Sequence, residues 1–229
     1  MTALVERDVN ISAKQGTVLP GTFATPDGYV GSVVFAHGSG SSRHSPRNRQ
    51  VAALLQQRGI ATLLMDLLTT GEEADDATTR AYRFDIDLLA ERLDAATKWL
   101  VGQPFAGHRP VGFFGASTGA AAALVAAAGQ PGIVRAVVSR GGRPDLAGPA
   151  LGRVQAATLL IVGSRDDAVL GLNRAAYERL PGVKELQIVA GATHVFEEPG
   201  TLDEVARLAG EWFTLHFAAR PPLSASHSV

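Results

Sequence analysis

The sequence contains no cysteine, no long apolar segment and no excess of charge of either sign. The lack of cysteine excludes a disulfide-stabilised fold, thiolate metal sites and a cysteine nucleophile. The chain carries 21 basic and 22 acidic side chains, a formal charge of −1, so we expect no basic surface for nucleic acid. No run of 18 apolar residues is present, and we therefore expect no membrane span.

The first eight residues do not combine a basic region with an apolar one, so we expect no secretory signal and a cytoplasmic protein. Hydrophobic residues make up 46% of the 229 residues, which is enough to bury a sizeable core. We find no internal repeat and no linker long enough to separate domains. The prediction is one domain over residues 1–219, followed by a flexible tail over residues 220–229.

Short apolar runs typical of strands alternate with segments of helical periodicity. The predicted strands cover residues 29–36, 60–65, 111–116, 134–139, 158–162 and 185–189. The predicted helices cover residues 46–58, 86–100 and 118–128, with a last helix that opens on a capping box from Thr201 to Glu204. This alternation predicts an α/β fold with a doubly wound, mostly parallel sheet. A hairpin over residues 11–23 predicts an antiparallel edge at the N-terminal end.

One segment, residues 70–80, is strongly acidic. Glu72, Glu73, Asp75 and Asp76 occupy four of five consecutive positions. Such a density of like charge predicts a solvated, mobile loop. The alternative is a lid that closes over a functional site.

The most specific motif is Gly115-Ala116-Ser117-Thr118-Gly119, which matches G-x-S-x-G. It lies directly after a predicted strand and directly before a predicted helix, which is the context that the motif requires. Glycines are needed there because the chain turns sharply and neighbouring backbone comes close. The strained turn exposes the serine hydroxyl above the sheet edge, so Ser117 is the candidate nucleophile.

A serine nucleophile needs a base, and the base needs an acid that orients it. His194 follows the predicted strand that ends near Val189, at the edge where sites form in open α/β sheets. Asp166 follows another strand at the same edge, and Asp167 is the alternative acid. The order serine, aspartate, histidine along the chain is typical of one large class of serine hydrolases.

Acyl transfer also needs hydrogen-bond donors for the oxyanion that develops. The loop His37-Gly38-Ser39-Gly40 follows a predicted strand and can supply a backbone N–H. We expect the oxyanion hole to consist of the backbone N–H groups of Ser39 and Thr118. His37 is expected to shape this loop and to take no part in catalysis.

On these motifs, together with Gly163-Ser164-Arg165-Asp166 and Ala192-Thr193-His194, the chain resembles the α/β-hydrolase superfamily over residues 20–217. Within it, the chain is similar to the small dienelactone-hydrolase-like bacterial enzymes. The resemblance implies an α/β-hydrolase fold and a catalytic triad of Ser117, Asp166 and His194. Dienelactone hydrolases proper carry a cysteine nucleophile, whereas this chain has Ser117, so the resemblance implies no dienelactone substrate.

The predicted function is that of a serine hydrolase of the carboxylesterase type, acting on a small-molecule ester, lactone or thioester through an acyl-enzyme. An acyltransferase or perhydrolase would use the same three residues with a different acceptor. A non-catalytic interaction protein on the same fold is a further alternative. The sequence leaves the oligomeric state open between monomer and homodimer.

The expected substrate pocket is open, because residues 140–157 leave no room for a large cap domain between two predicted strands. Four cations are candidates for binding an anionic part of the substrate: Arg43, Arg83, Arg140 and Arg143. Pairing of these arginines with surface acids is the competing interpretation.

No cofactor and no metal are expected. The spacing Gly112-x-x-Gly115-x-x-x-Gly119 is not the dinucleotide-binding pattern, and no phosphate-binding P-loop occurs. His37 and His44 are close in sequence, but no H-E-x-x-H motif accompanies them.

Overall fold

The computed structural model describes residues 3–104, 106 and 108–218. The strands are β1 (Leu4–Ser12), β2 (Val18–Pro26), β3 (Ser32–Ala36), β4 (Ala61–Met65), β5 (Val111–Ala116), β6 (Val134–Arg140), β7 (Ala157–Gly163) and β8 (Lys184–Val189). The helices are α1 (Pro46–Gln57), α2 (Thr70–Thr79), α3 (Ile86–Val101), α4 (Thr118–Gly129), α5 (Asp167–Arg179) and α6 (Thr201–Ala218). The predicted tail over residues 220–229 lies outside the described residues.

The eight strands form one sheet in the order β1-β2-β4-β3-β5-β6-β7-β8. The first hairpin, β1 with β2, is antiparallel, and so is the pairing of β2 with β4. All the other neighbours are parallel. The predicted α/β fold, its mostly parallel sheet and its antiparallel N-terminal edge are therefore confirmed.

Helices cover both faces of the sheet, because the central strands are apolar on both sides. Phe113 and Phe114, adjacent on β5, point into opposite cores and are both fully buried. The core around Phe113 contains the apolar faces of α3 and α4, and the core around Phe114 contains those of α1 and α6. This doubly wound arrangement leaves the carboxyl ends of the parallel strands along one edge.

Several helix ends follow the signals in the sequence. Ser45 is the N-cap of α1, where its hydroxyl accepts the Asn48 N–H at 3.3 Å, and Pro46 occupies the first helical position. Gly59 lies just beyond α1 with a φ of 74°, a conformation that glycine adopts without strain.

The prediction of a loop over residues 70–80 is wrong, since residues 70–79 form α2. The Thr69 hydroxyl accepts the Glu72 N–H at 3.2 Å, and the Glu72 carboxylate accepts the Thr69 N–H at 2.7 Å. This capping box lies inside the acidic segment. Carboxylates near a helix N-terminus also interact favourably with the helix dipole, so the acids that suggest a loop instead stabilise the start of a helix.

Two further details differ from the sequence predictions. Thr201 is the first residue of α6 and not its N-cap, and its hydroxyl donates to the Glu198 carbonyl at 2.8 Å. Helix α5 has no counterpart among the predicted helices. Its buried face carries Asn173, whose amide donates to the carbonyls of Gly142 and Val169. A polar residue on the buried face interrupts the apolar periodicity that would have revealed the helix.

The connection from β6 to β7, which is described throughout, holds two short 3₁₀ turns over Pro144–Arg153, separated by a kink at Gly148. No cap domain is inserted there, so the carboxyl edge of the sheet stays uncovered on this side.

Candidate active site

The candidate catalytic residues lie at the carboxyl edge of the sheet. Ser117 follows β5 directly, Asp166 follows β7 by three residues, and His194 lies in the loop after β8. Parallel strands end at the same edge, so residues distant in sequence come together there. Ser117 and His194 line the same small cavity.

Ser117 sits on a sharp turn between β5 and α4. Its φ and ψ are 51° and −122°, which a non-glycine residue adopts only under strain. The flanking glycines are required by packing: a Cβ at Gly115 would lie 2.4 Å from the Ala120 Cα, and one at Gly119 would lie 2.2 Å from the Ala36 carbonyl oxygen. The turn therefore forms only with small residues on both sides of Ser117, and it holds the side chain at the sheet edge.

His194 and Asp166 are in direct contact. The His194 Nδ1 and the Asp166 Oδ2 are 2.7 Å apart, and the Asp166 carboxylate is mostly buried. An ionised carboxylate only accepts hydrogen bonds, so Nδ1 carries the proton and Nε2 is left with a free lone pair. Asp167 instead starts α5 and is exposed. The structure thus brings Asp166, rather than Asp167, to the histidine.

The loop that carries His194 is held at both ends. Both carboxylate oxygens of Glu198 lie 3.1 Å from the Thr193 nitrogen and accept its N–H. Hydrogen bonding to Thr193, through its side chain and its backbone, lowers the pKa of Glu198. On the other side, Gly163 lies so close to this loop that a Cβ there would be 2.3 Å from the Ala192 carbonyl oxygen. The ends of β7 and β8 are therefore fixed to each other beside His194. Sequence reasoning missed Glu198, which carries no motif.

His37 has no role as a base in this geometry. Its Nε2 accepts the backbone N–H of Leu67 at 3.0 Å, and its Nδ1 donates to the Gly38 carbonyl at 3.0 Å. Both ring nitrogens are used, and the ring is almost completely buried. Burial lowers the pKa of His37 and keeps the imidazole neutral. The residue joins the loop after β3 to the segment after β4.

The two expected oxyanion-hole residues are in contact through their side chains. The Ser39 Oγ and the Thr118 Oγ1 are 3.0 Å apart. Thr118 is the first residue of α4, where the helix leaves its backbone N–H without an intrahelical acceptor. Gly38 packs against Ser117, since a Cβ at Gly38 would lie 3.0 Å from the Ser117 Cβ. Both residues are thus placed next to the candidate nucleophile.

Two cavities meet at the Gly38–Ser39 loop. The larger, of about 350 Å³, extends from Ser39 and Thr118 towards α2 and the apolar side chains of Leu67, Leu68 and Leu89. The smaller, of about 160 Å³, is lined by Ser117 and His194. The acidic helix α2 forms one wall of the larger cavity through Glu73, Asp76 and Ala77. The segment considered as a possible lid is therefore a helical wall of this cavity.

Three of the four candidate substrate-binding arginines are paired with carboxylates. Arg43 pairs with Asp66, Arg83 pairs with Asp76 at 2.7 Å, and Arg143 pairs with Asp145 at 2.7 Å. Arg83 lines the larger cavity, whereas Arg43 and Arg143 line neither cavity.

Arg140 differs from the other three. It lines the smaller cavity and has no carboxylate partner among the described residues. Arg47 and Asn48, in the first turn of α1, line the same cavity and were missed by sequence reasoning. The one sequence feature that places them near the site is the start of a predicted helix shortly after the Gly38–Ser39 loop.

The described residues contain no group of three or more His, Cys, Asp or Glu side chains placed to hold a metal ion. Among these residues, no helix combines the length and the apolarity that a membrane span needs.

Proteins of known structure are similar to this chain over most of its length. A dienelactone hydrolase from Anabaena variabilis is 56% identical, with a TM-score of 0.90 over 93% of this chain and 98% of that one. Est1E from Butyrivibrio proteoclasticus is 16% identical, with a TM-score of 0.76 over 93% of this chain and 99% of its own, which shows the shared fold alone. No protein-family model matches the chain.

Curated relatives from two strains of Mycobacterium tuberculosis are 57% identical over 217 residues, or 94% of this chain. They are named "Putative phosphoribosyl transferase", and the chain spans about half of their length, 48%. The Anabaena relative matches over nearly the whole of both chains and at more than half of the aligned positions. The chain belongs to the dienelactone-hydrolase-like group of the α/β-hydrolases.

Proposed function

We propose that the protein is a serine hydrolase that cleaves a carboxylic ester, lactone or thioester through an acyl-enzyme. The observation that carries the proposal is the strained turn at Ser117, combined with the 2.7 Å contact between His194 and Asp166 at the same edge of the sheet. A strained strand-to-helix turn that exposes a serine is typical of nucleophilic catalysis on this fold.

In the proposed mechanism, the Ser117 Oγ attacks the acyl carbon while the His194 Nε2 removes its proton. Asp166 orients the imidazole and stabilises its protonated form. The backbone N–H groups of Ser39 and Thr118 stabilise the oxyanion. His194 then donates the proton to the leaving oxygen, and a water molecule hydrolyses the acyl-enzyme with His194 again acting as base.

Acyl transfer to an acceptor other than water would use the same Ser117, Asp166 and His194. Competition between water and an added alcohol or hydrogen peroxide, measured from the product ratio, separates hydrolase from acyltransferase or perhydrolase. The name of the mycobacterial relatives gives no reaction for this chain, because the chain corresponds to less than half of each of them.

The test is the intact mass after treatment with a small fluorophosphonate, on the wild type and on Ser117→Ala. A single adduct on the wild type alone is expected, together with loss of ester turnover in the variant. An unchanged esterase rate in Ser117→Ala would overturn the assignment of the nucleophile. Wild-type protein that forms no adduct and turns over no ester would instead favour a non-catalytic interaction protein on the hydrolase fold.

A further inference from the structure

Arg140, at the end of β6, is a buried cation that pairs with no carboxylate of the described residues. The residue is 7% exposed, and its Nε has no hydrogen-bond partner. Among the described residues, its guanidinium donates one long hydrogen bond, 3.4 Å from Nη1 to the Val195 carbonyl, and lies 5.9 Å from the centre of the Phe196 ring. Burying a charged group without an opposite charge costs free energy, and an unsatisfied buried group in a native protein calls for an explanation such as a bound ion. Burial and the nearby Arg47 lower the pKa of Arg140 to about 10, a value at which the guanidinium is still charged at neutral pH.

The space that Arg140 lines has an excess of positive charge. Arg47 lines the same cavity of about 160 Å³ and makes no ion pair with any described residue. The N-terminus of α1, at Ser45, opens on it as well, and a helix N-terminus favours an anion. Acidic side chains are absent from the described residues that line it. Two arginines that have no carboxylate partner among the described residues therefore line one small volume.

This volume lies on the leaving-group side of the reaction. In the proposed mechanism, His194 donates a proton to the leaving oxygen, so the leaving group lies beside His194. His194 lines the cavity of Arg140 and does not line the larger cavity, which contains the apolar side chains. The larger cavity is thus suited to the acyl part of the substrate, and the smaller one to the alcohol.

We propose that the cavity formed by Arg140, Arg47 and the N-terminus of α1 binds a phosphate group on the alcohol part of the substrate, so that the enzyme hydrolyses acyl esters of small phosphorylated alcohols. This inference rests on the proposed function. A phosphomonoester carries about −1.5 to −2 charges at pH 7, which matches two guanidinium groups better than one carboxylate does. The bond that breaks is the acyl C–O bond. The alcohol oxygen takes the proton from His194, and the phosphate ester stays intact.

Three acetyl esters that differ only in the alcohol test the proposal: 2-(phosphonooxy)ethyl acetate, acetoxyacetate and 2-methoxyethyl acetate. We expect kcat/KM to be at least about tenfold higher for the phosphorylated ester than for the other two. Arg140→Met should remove this advantage, because it should lower kcat/KM on the phosphorylated ester about ten- to hundredfold more than on the neutral one. Arg47→Gln should lose about two- to fivefold, because this residue is exposed and its charge is screened.

Arg49→Gln is the matched control, since Arg49 lies on the same helix, is exposed and lines neither cavity. Its kcat/KM for all three esters should equal that of the wild type. A purely structural role of Arg140 would lower the rates on all three esters equally and would overturn the proposal. Equal wild-type rates on the phosphorylated and neutral esters, or equal preference for the carboxylate ester, would also overturn it.

A binding measurement separates failure of this proposal from failure of the proposed function. Inorganic phosphate should raise the Tm of the wild type relative to chloride at equal ionic strength, and the rise should be absent in Arg140→Met. If no ester is hydrolysed and no fluorophosphonate adduct forms, the proposed function fails, and this Tm shift alone decides the anion site. Suppose that the neutral ester is hydrolysed, but phosphate does not shift the Tm and the phosphorylated ester is not preferred. This result would overturn the phosphate site and leave the proposed function standing.

Discussion

Asp166 holds the imidazole of His194 at 2.7 Å, whereas the next residue, Asp167, faces solvent at the start of α5. These two adjacent carboxylates have the same chemistry, and only the backbone geometry gives them different surroundings. The Asp166 N–H donates to the Gly163 carbonyl at 3.1 Å, in the turn directly after β7. This turn directs one carboxylate towards the histidine loop and leaves the other at a helix N-terminus.

The two aspartates form a matched pair of variants. Asp166→Asn should lower kcat by about 10³- to 10⁴-fold, because an amide in place of the carboxylate favours the wrong tautomer of His194. Asp167→Asn should change kcat by less than about threefold, since it removes one exposed charge. Steady-state kinetics on a neutral ester, with circular dichroism to verify folding, measures both. A comparable loss in the two variants would contradict the assignment of the acid.

Gly119 should tolerate no side chain. A Cβ there would lie 2.2 Å from the Ala36 carbonyl oxygen and 2.5 Å from that of His37, so Gly119→Ala must push β3 and α4 apart. We expect a loss of about 1–3 kcal/mol or more in the free energy of unfolding, measured by urea denaturation.

Gly129, the last residue of the same helix, is the control for Gly119. A Cβ there meets nothing within 4 Å, and Gly129→Ala should be neutral or stabilising by about 0.5 kcal/mol. If both alanine variants were equally stable, the close approach at Gly119 would be refuted.

The strained backbone conformation of Ser117 should lower the stability of the folded protein. Its φ of 51° is strained for any residue with a Cβ, so Ser117→Gly should exceed Ser117→Ala in unfolding free energy by about 1 kcal/mol or more. Both variants should be inactive towards esters. Parallel urea titrations of the two variants measure the difference, and equal midpoints would show that the turn is not strained.

His37 should contribute to loss of stability in acid. Burial lowers its pKa in the folded chain, while the unfolded value is about 6.5. Below pH 6.5 the unfolded chain binds a proton that the folded chain resists, so unfolding becomes more favourable as the pH falls. The loss of stability therefore sets in as the pH falls through about 6.5.

The variant that isolates this effect is His37→Gln, which offers a hydrogen-bond acceptor to Leu67 and does not titrate. The difference in unfolding free energy between wild type and His37→Gln should shrink as the pH falls from 7.5 to 5.5. A difference that does not depend on pH would mean that His37 is accessible to protons in the folded state.

Local sequence determines much of this structure. The turn at Ser117 was predictable, because the two glycines, the apolar strand before them and the small-residue helix after them are contiguous in the chain. The positions of Asp166 and His194 at the same sheet edge follow from strand order, since each lies in the loop that follows a predicted parallel strand.

Other features depend on contacts that the sequence does not display. Arg43, Arg83 and Arg143 have the same chemistry as Arg140, and only the fold determines that the first three meet carboxylates and the fourth does not. The high charge density of the acidic segment indicates solvation and so predicts a loop. The capping box of Thr69 and Glu72 and the ion pair of Glu72 with Arg92 instead stabilise a helix.

The three candidate catalytic residues follow β5, β7 and β8, and β8 is the last strand in the described part of the chain and an outer strand of the sheet. A partly synthesised or partly refolded chain that lacks β8 has Ser117 without a base. Under the proposed mechanism, folding intermediates that lack β8 do not react at Ser117. This reactivity appears only when β8 joins the sheet. A fluorophosphonate would then act as a titrant of native molecules, counting completely folded chains in a mixture where spectroscopic probes average over all states.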